Sequence, residues 1–223
     1  MIFRNLNLNR VFPSVLAIGS ILGATAAQAQ VTSGSITTPA ALAGAFIGGP
    51  GAGNVTVTSS GGGLGTLTAT PFALPAFGTP KNIQFTATGD IFQFNNLPGS
   101  GTGIVTGLNS TVNFIVDPGA VAIGPLNFAT EYSYDADILI LGLDGTRVTY
   151  NPTGAPTFSF GGSLYRVDIN ATQASSQGTP TTLSNNTITG SITNLTQNVA
   201  PEPGTLAFIA VGGTLVLVRR RKH

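Results

Sequence analysis

The stretch ADILILGLDGTRVTY, residues 136–150, decides the fold class. Asp144-Gly145 is a dipeptide favoured in two-residue type I′ turns, where both central residues take positive φ. A turn there pairs Leu143 with Thr146, Leu141 with Val148 and Leu139 with Tyr150. Ile138 and Ile140 make the opposite face apolar as well, as in a strand covered on both sides. A buried helical segment would need the same apolar run, but the adjoining turn decides for strand.

Working outward, NIQFTATGDIFQF (82–94) holds a second expected hairpin around Gly89-Asp90. Its register pairs Thr88 with Ile91, Ala87 with Phe92 and Phe85 with Phe94. Ile83, Phe85, Ala87, Phe92 and Phe94 then share an inner face, while Gln84, Thr86, Thr88, Ile91 and Gln93 share the outer one. Weaker strand patterns lie at Asn54–Thr58, Thr111–Val116, Leu164–Ile169 and Thr187–Leu195. Glycine clusters at Gly48–Gly53 and Gly61–Gly65 read as loops. PAALAGAF (39–46) has the composition for about two helical turns. Many short strands between Gly, Pro and Asn turns predict a mainly β protein, an antiparallel β-sandwich or jelly-roll-like fold.

Charge is scarce, at 8% of 223 residues against about 25% in typical soluble domains. Arg4 and Arg10 stand at one end, and Arg219, Arg220, Arg221 and Lys222 at the other. Between them only Lys81, Arg147 and Arg166 face seven acids, a net of −4. Such a body lacks the clustered cations that displace counterions from nucleic acid. There is no cysteine, and the single histidine is His223. Thiol chemistry, thiolate metal sites and histidine-dependent triads are therefore excluded from the body.

The ends read as targeting segments. A basic start, the apolar run VFPSVLAIGSILG and the small residues of ATAAQA predict a signal peptide over 1–29, cut after Ala29 with Ala27 and Ala29 as the A-x-A pair. A β-rich extracytoplasmic body follows over 30–198. At the far end, Gly204–Val218 carries no charge and is followed at once by Arg219, Arg220, Arg221 and Lys222. That order predicts a single transmembrane helix over 204–218, its basic tail (219–222) held on the cytoplasmic side. Pro201-Glu202-Pro203 stands just before it, and proline biases this peptide towards extended backbone.

The ordered set PEPGT, apolar run and RRRK resembles the PEP-CTERM sorting signal of Gram-negative bacteria, over residues 199–223. Members often carry valine or another proline where Ala200 stands. The resemblance implies recognition of Pro201, Glu202 and Pro203 by exosortase, a membrane enzyme that passes the body to the cell exterior. It implies processing by signal peptidase and exosortase, and an inner-membrane precursor that becomes a cell-surface or extracellular product.

For chemistry in the body, GSGTG (99–103) lacks both the spacing of a dinucleotide loop and a Walker lysine, and reads as a turn. Asp135 and Asp137 share a strand face about 6.6 Å apart. They read first as a solvated strand end with Arg147 close enough to neutralise one of them. The alternatives are a calcium site completed by Glu131 or nearby carbonyls, and the carboxylate pair of an inverting glycosidase. The phenylalanines and the four tyrosines read first as core, and Tyr132 and Tyr134, placed beside these acids, offer an alternative carbohydrate shelf. Arg166 and Asp168 read as a surface ion pair. The leading expectation is a non-enzymatic, cofactor-free envelope or matrix protein associated with exopolysaccharide and not with nucleic acid. A calcium-assisted carbohydrate-binding module is the alternative, and a carboxylate hydrolase a third.

Overall fold

The computed structural model describes residues 28–39, 44–48, 55–59, 62–97, 99–140, 142–178 and 182–197. Among these the chain is strand and turn, with no helix. The strands are β1 (Gln30–Thr37), β2 (Gly44–Gly48), β3 (Val55–Ser59), β4 (Leu64–Leu67), β5 (Phe72–Ala73), β6 (Pro80–Thr86) and β7 (Phe92–Asn95). After them come β8 (Thr102–Asp117), β9 (Val121–Ile140), β10 (Leu143–Thr153) and β11 (Thr157–Phe160). The last are β12 (Ser163–Ile169), β13 (Thr172–Gln177), β14 (Thr182–Asn185) and β15 (Thr187–Asn194). The expected class, mainly β and antiparallel, is what the chain adopts.

One hairpin holds the architecture together. β8 pairs along its length with β9, while its other edge is shared between two partners. Residues Thr111–Asp117 pair with β1, and Gly103–Ile104 pair with β2. The sheet therefore runs β11-β12-β15-β6-β4-β1-β8-β2-β3-β7-β14, with β9, β10 and β13 continuing from the far side of β8. Every ladder between named strands is antiparallel. It curls far enough to bring β14 beside β13, where the Asn185 amide Nδ2 donates to the Gln173 carbonyl at 3.1 Å.

Alternation places the core. Val112, Phe114 and Val116 on β8, and Phe128, Thr130, Tyr132, Tyr134 and Ala136 on β9, are all buried on one side of their strands. A register shift between Val31 and Ser33 changes the parity of β1, so that Val31 and Ile36, five residues apart, both reach the core. Buried aromatics gather in two groups. Phe92, Phe94, Tyr132 and Tyr150 form one, with ring centroids 5.0–6.1 Å apart in their contacting pairs. Phe85, Phe114, Phe158 and Tyr165 form the other. Such pairs contribute about 0.5–1.5 kcal/mol each beyond their buried area.

Both expected hairpins need correction. Ile83, Phe85, Phe92 and Phe94 do face inward, and Ala87 packs on the core. Yet β6 pairs with β15 and β4, and β7 with β14 and β3. Residues 80–95 and 182–194 run antiparallel past each other, crossing together from the β6–β15 ladder to the β7–β14 ladder. At the crossing the Ala87 amide donates to the Asn186 carbonyl, and that of Ile91 to the Asn185 carbonyl. Ile91, assigned to the outer face, is fully buried. A shared inner face does not make two strands partners, and the partner here lies about a hundred residues downstream.

The second hairpin exists in another register. Leu143 pairs with Ile140, Asp144 with Leu139 and Gly145 with Ile138, and Gly142 at φ +83° takes the turn. Tyr150 stands opposite Tyr132, not Leu139. Asp144-Gly145 is strand, and its buried glycine leaves no room for a Cβ, which would meet Ile140 Cδ1 at 2.6 Å and the Ser176 carbonyl at 3.0 Å.

The weaker strands appear as β3, the end of β8, β12 and β15. Gly44–Phe46, assigned to a short helix, belongs to β2 and pairs with β3. Leu64-Gly65, assigned to a loop, belongs to β4.

Candidate functional site

The acids of β9 follow from its alternation. With Tyr132, Tyr134 and Ala136 facing the core, Glu131, Ser133, Asp135 and Asp137 must face outward. The ladder sets Arg147 of β10 directly opposite Asp135, and their charged groups approach to 3.7 Å. Asp135 Oδ1 also accepts the Asp137 amide at 3.1 Å. Asp137 Oδ2 accepts the amide of Gly101 at 3.1 Å, and the Gly101 carbonyl accepts the amide of Ala136 at 3.0 Å. GSGTG is thus tied to the end of β9, its last residues Thr102-Gly103 opening β8.

This arrangement fits strand-end stitching better than a calcium cage. Calcium takes 6–8 oxygen ligands. Three acidic side chains do not converge anywhere among the described residues. Glu131 stands four residues from Asp135, about 13 Å along the strand. The two carboxylates are occupied by backbone amides and by Arg147.

The tyrosine shelf is overturned. Tyr132 and Tyr134 do share a face, but it is the buried one, 2% and 3% exposed, on the side of β9 opposite the acids. Burial holds the Tyr132 hydroxyl well above its ordinary pKa, reinforced by Tyr150 and moderated by its hydrogen bond with Thr38. Burial likewise raises Tyr150, moderated by its 3.1 Å bond to Ser110. Tyr134 is pushed up to about 12, by burial first and then by Asp137 and Asp135. None of these rings is presented to a ligand.

Arg166 and Asp168 meet at 2.8 Å on the surface of β12, as expected. Ala29 lies at the edge of the fold, where its carbonyl accepts the amide of Leu74 at 2.9 Å and its side chain packs on the core. Gln28 and Ala29 line one groove together with Asn194 and Gln197, so both ends of the described fold meet at one pole. Ala27, Pro201, Glu202, Pro203, Arg219, Arg220, Arg221, Lys222 and the segment 204–218 lie outside the described residues.

A second groove, of about 450 Å³, opens between β4 and β6 and includes Phe72, Lys81, Asn82, Gln84 and Asn170. Sequence reasoning passed over it because its residues come from separate segments, and Lys81, Asn82, Gln84 and Asn170 are each an ordinary exposed polar position.

Fold and surface together define an antiparallel β-protein in which Asp135, Asp137 and Asp168 are engaged within its own sheet. No family model matches the chain, and no curated protein or solved structure does either.

Proposed function

We propose that this chain is an exported, non-enzymatic component of the cell surface or extracellular matrix, sorted through its C-terminal Pro-Glu-Pro motif and associated with exopolysaccharide. The observation that carries the reading is the order PEPGT, uncharged 204–218, RRRK. Orientation agrees at both ends. A signal peptide places the body outside, and four terminal bases keep the tail inside. Exosortase is the processing partner, recognising Pro201, Glu202 and Pro203. The body between suits a structural role: its buried surface is aromatic and aliphatic, and its outer face is rich in Thr, Asn and Ser. We further read the curled sheet that encloses its core as the two layers of a jelly-roll-like sandwich.

The test is fractionation of cells with and without their exosortase, following the size of the chain. The expected outcome is a shortened product at the surface or in the medium, and a longer membrane-bound form when exosortase is deleted. Replacing Glu202 with Ala should mimic that deletion. Full-length product in the cytosol, with both ends intact, overturns the proposal.

A further inference from the structure

The groove between β4 and β6 exists because β4 leaves its neighbour early. Its last ladder contacts are Thr66 with Thr86 and Leu67 with Phe85, followed by the Thr68 amide donating to the Gln84 carbonyl at 2.9 Å. β6 continues beyond them, paired only with β15. Backbone groups of alternate residues point to the same side of a strand. The register therefore directs the N–H and C=O of Asn82 into the space that β4 has left.

The walls add a particular set of side chains. Asn82 and Gln84 stand on the outward face of β6, and Asn170 lies across from them, its Nδ2 donating to Thr189 at 3.0 Å. Gln84 donates to Thr86 at 3.2 Å, which leaves its carbonyl oxygen as an acceptor. Lys81 lies over the ring of half-buried Phe72, 5.5 Å from its centroid. The body has three cations. Arg147 is paired with Asp135 and Arg166 with Asp168, whereas Lys81 has no carboxylate partner among the described residues.

We propose that this groove binds an acidic oligosaccharide, with Lys81 receiving a uronate carboxylate and the amides of Asn82, Gln84 and Asn170 receiving hydroxyls. Neutral amides carry donor and acceptor side by side, which suits the vicinal hydroxyls of a sugar. An added peptide strand suits the groove less well. Beyond the last β4 contact that edge offers Asn82 and Pro80, and proline has no N–H, so an added ladder would be short. The volume lies within the 300–1,000 Å³ usual for small-ligand sites. The proposal deepens the exopolysaccharide reading, and rests on it only for the meeting of protein and glycan in the cell.

Titration calorimetry on the purified full-length chain in detergent tests it, with oligogalacturonate as the acidic probe. Neutral maltotetraose and a glutamate-rich peptide are the comparison probes. The expected result is binding of oligogalacturonate that weakens with salt and falls at least tenfold in Lys81→Gln and in Gln84→Ala, with Arg166→Gln unchanged. Each variant is first checked for an unaltered melting temperature. Should Lys81→Gln fail to fold, Asn82→Asp serves instead, since it sets a negative charge against the carboxylate. No binding at millimolar oligogalacturonate overturns the proposal, as does equal binding of maltotetraose or displacement by the peptide. Binding by purified protein is independent of its route of export. A chain that binds but stays in the cytosol sinks the sorting reading alone, and one that is sorted but does not bind sinks this one.

Discussion

At the scale of single residues, Thr38 shows how a polar group is accommodated in an apolar interior. It is 2% exposed, and its hydroxyl donates to the Ile91 carbonyl at 2.7 Å, accepts the Gly63 amide at 3.1 Å and bonds with Tyr132. Valine has nearly the same shape but leaves those groups unpartnered, so Thr38→Val should lower stability by roughly 1–3 kcal/mol in urea denaturation. Nothing local in the sequence marks Thr38, because its partners come from three other segments. That Asp135 and Asp137 share one face of β9 is legible, since period-two alternation is local. Placing Tyr132 and Tyr134 beside those acids overlooks their opposite parity, which turns the two rings into the core. Tyr132 and Tyr150 carry a further consequence. Their protons are held in the folded chain above the ordinary value of 10.0. An unfolded chain releases them near that value, so this contribution is complete below about pH 10 and is lost as pH rises through the folded values. Each tyrosine contributes a slope of about 1.4 kcal/mol per pH unit over that window, roughly 3 for the two. Urea midpoints measured at pH 9, 10 and 11 should therefore fall beyond 10, and less steeply in Tyr150→Phe.

At the scale of elements, the existence of strands was readable and their partners were not. Asp144-Gly145 has the chemistry of a tight turn, but Leu143-Gly145 is needed as strand to meet both Ile138-Ile140 and β13. The Asp144 carbonyl accepts the Gly178 amide at 2.7 Å, a bond a turn at that position would forgo. Long-range pairing outweighed local preference, as it did at Gly89-Asp90. Two substitutions distinguish the roles. A Cβ at Gly145 meets Ile140 and the Ser176 backbone, so Gly145→Ala should cost about 1–3 kcal/mol through overpacking. At Gly142 a Cβ meets nothing, and the cost is confined to positive φ, about 1 kcal/mol for alanine. If instead Gly145→Ala cost no more than Gly142→Ala, as it would were Gly145 at an open turn position, the observed register would be wrong.

At the scale of the whole molecule, the first strand connects folding to processing. Gln30 opens β1 and is paired with both Ala73 and Asp117, while the Ala29 carbonyl is held by Leu74 and its side chain packs on the core. A protease that cuts after Ala29 must take the flanking residues as an extended chain in its own cleft. The folded domain already uses those residues as part of its sheet. Cleavage on the proposed route therefore has to precede closure of β1 against β5 and β8. Precursor unfolded in urea and diluted into signal peptidase should be cut rapidly, and the same precursor allowed to refold first should resist. A destabilising change elsewhere in the core, such as Thr38→Val, should partly restore cutting of the refolded precursor in proportion to its open population. Equal cutting rates for refolded and unfolded precursor would place the scissile bond outside the sheet.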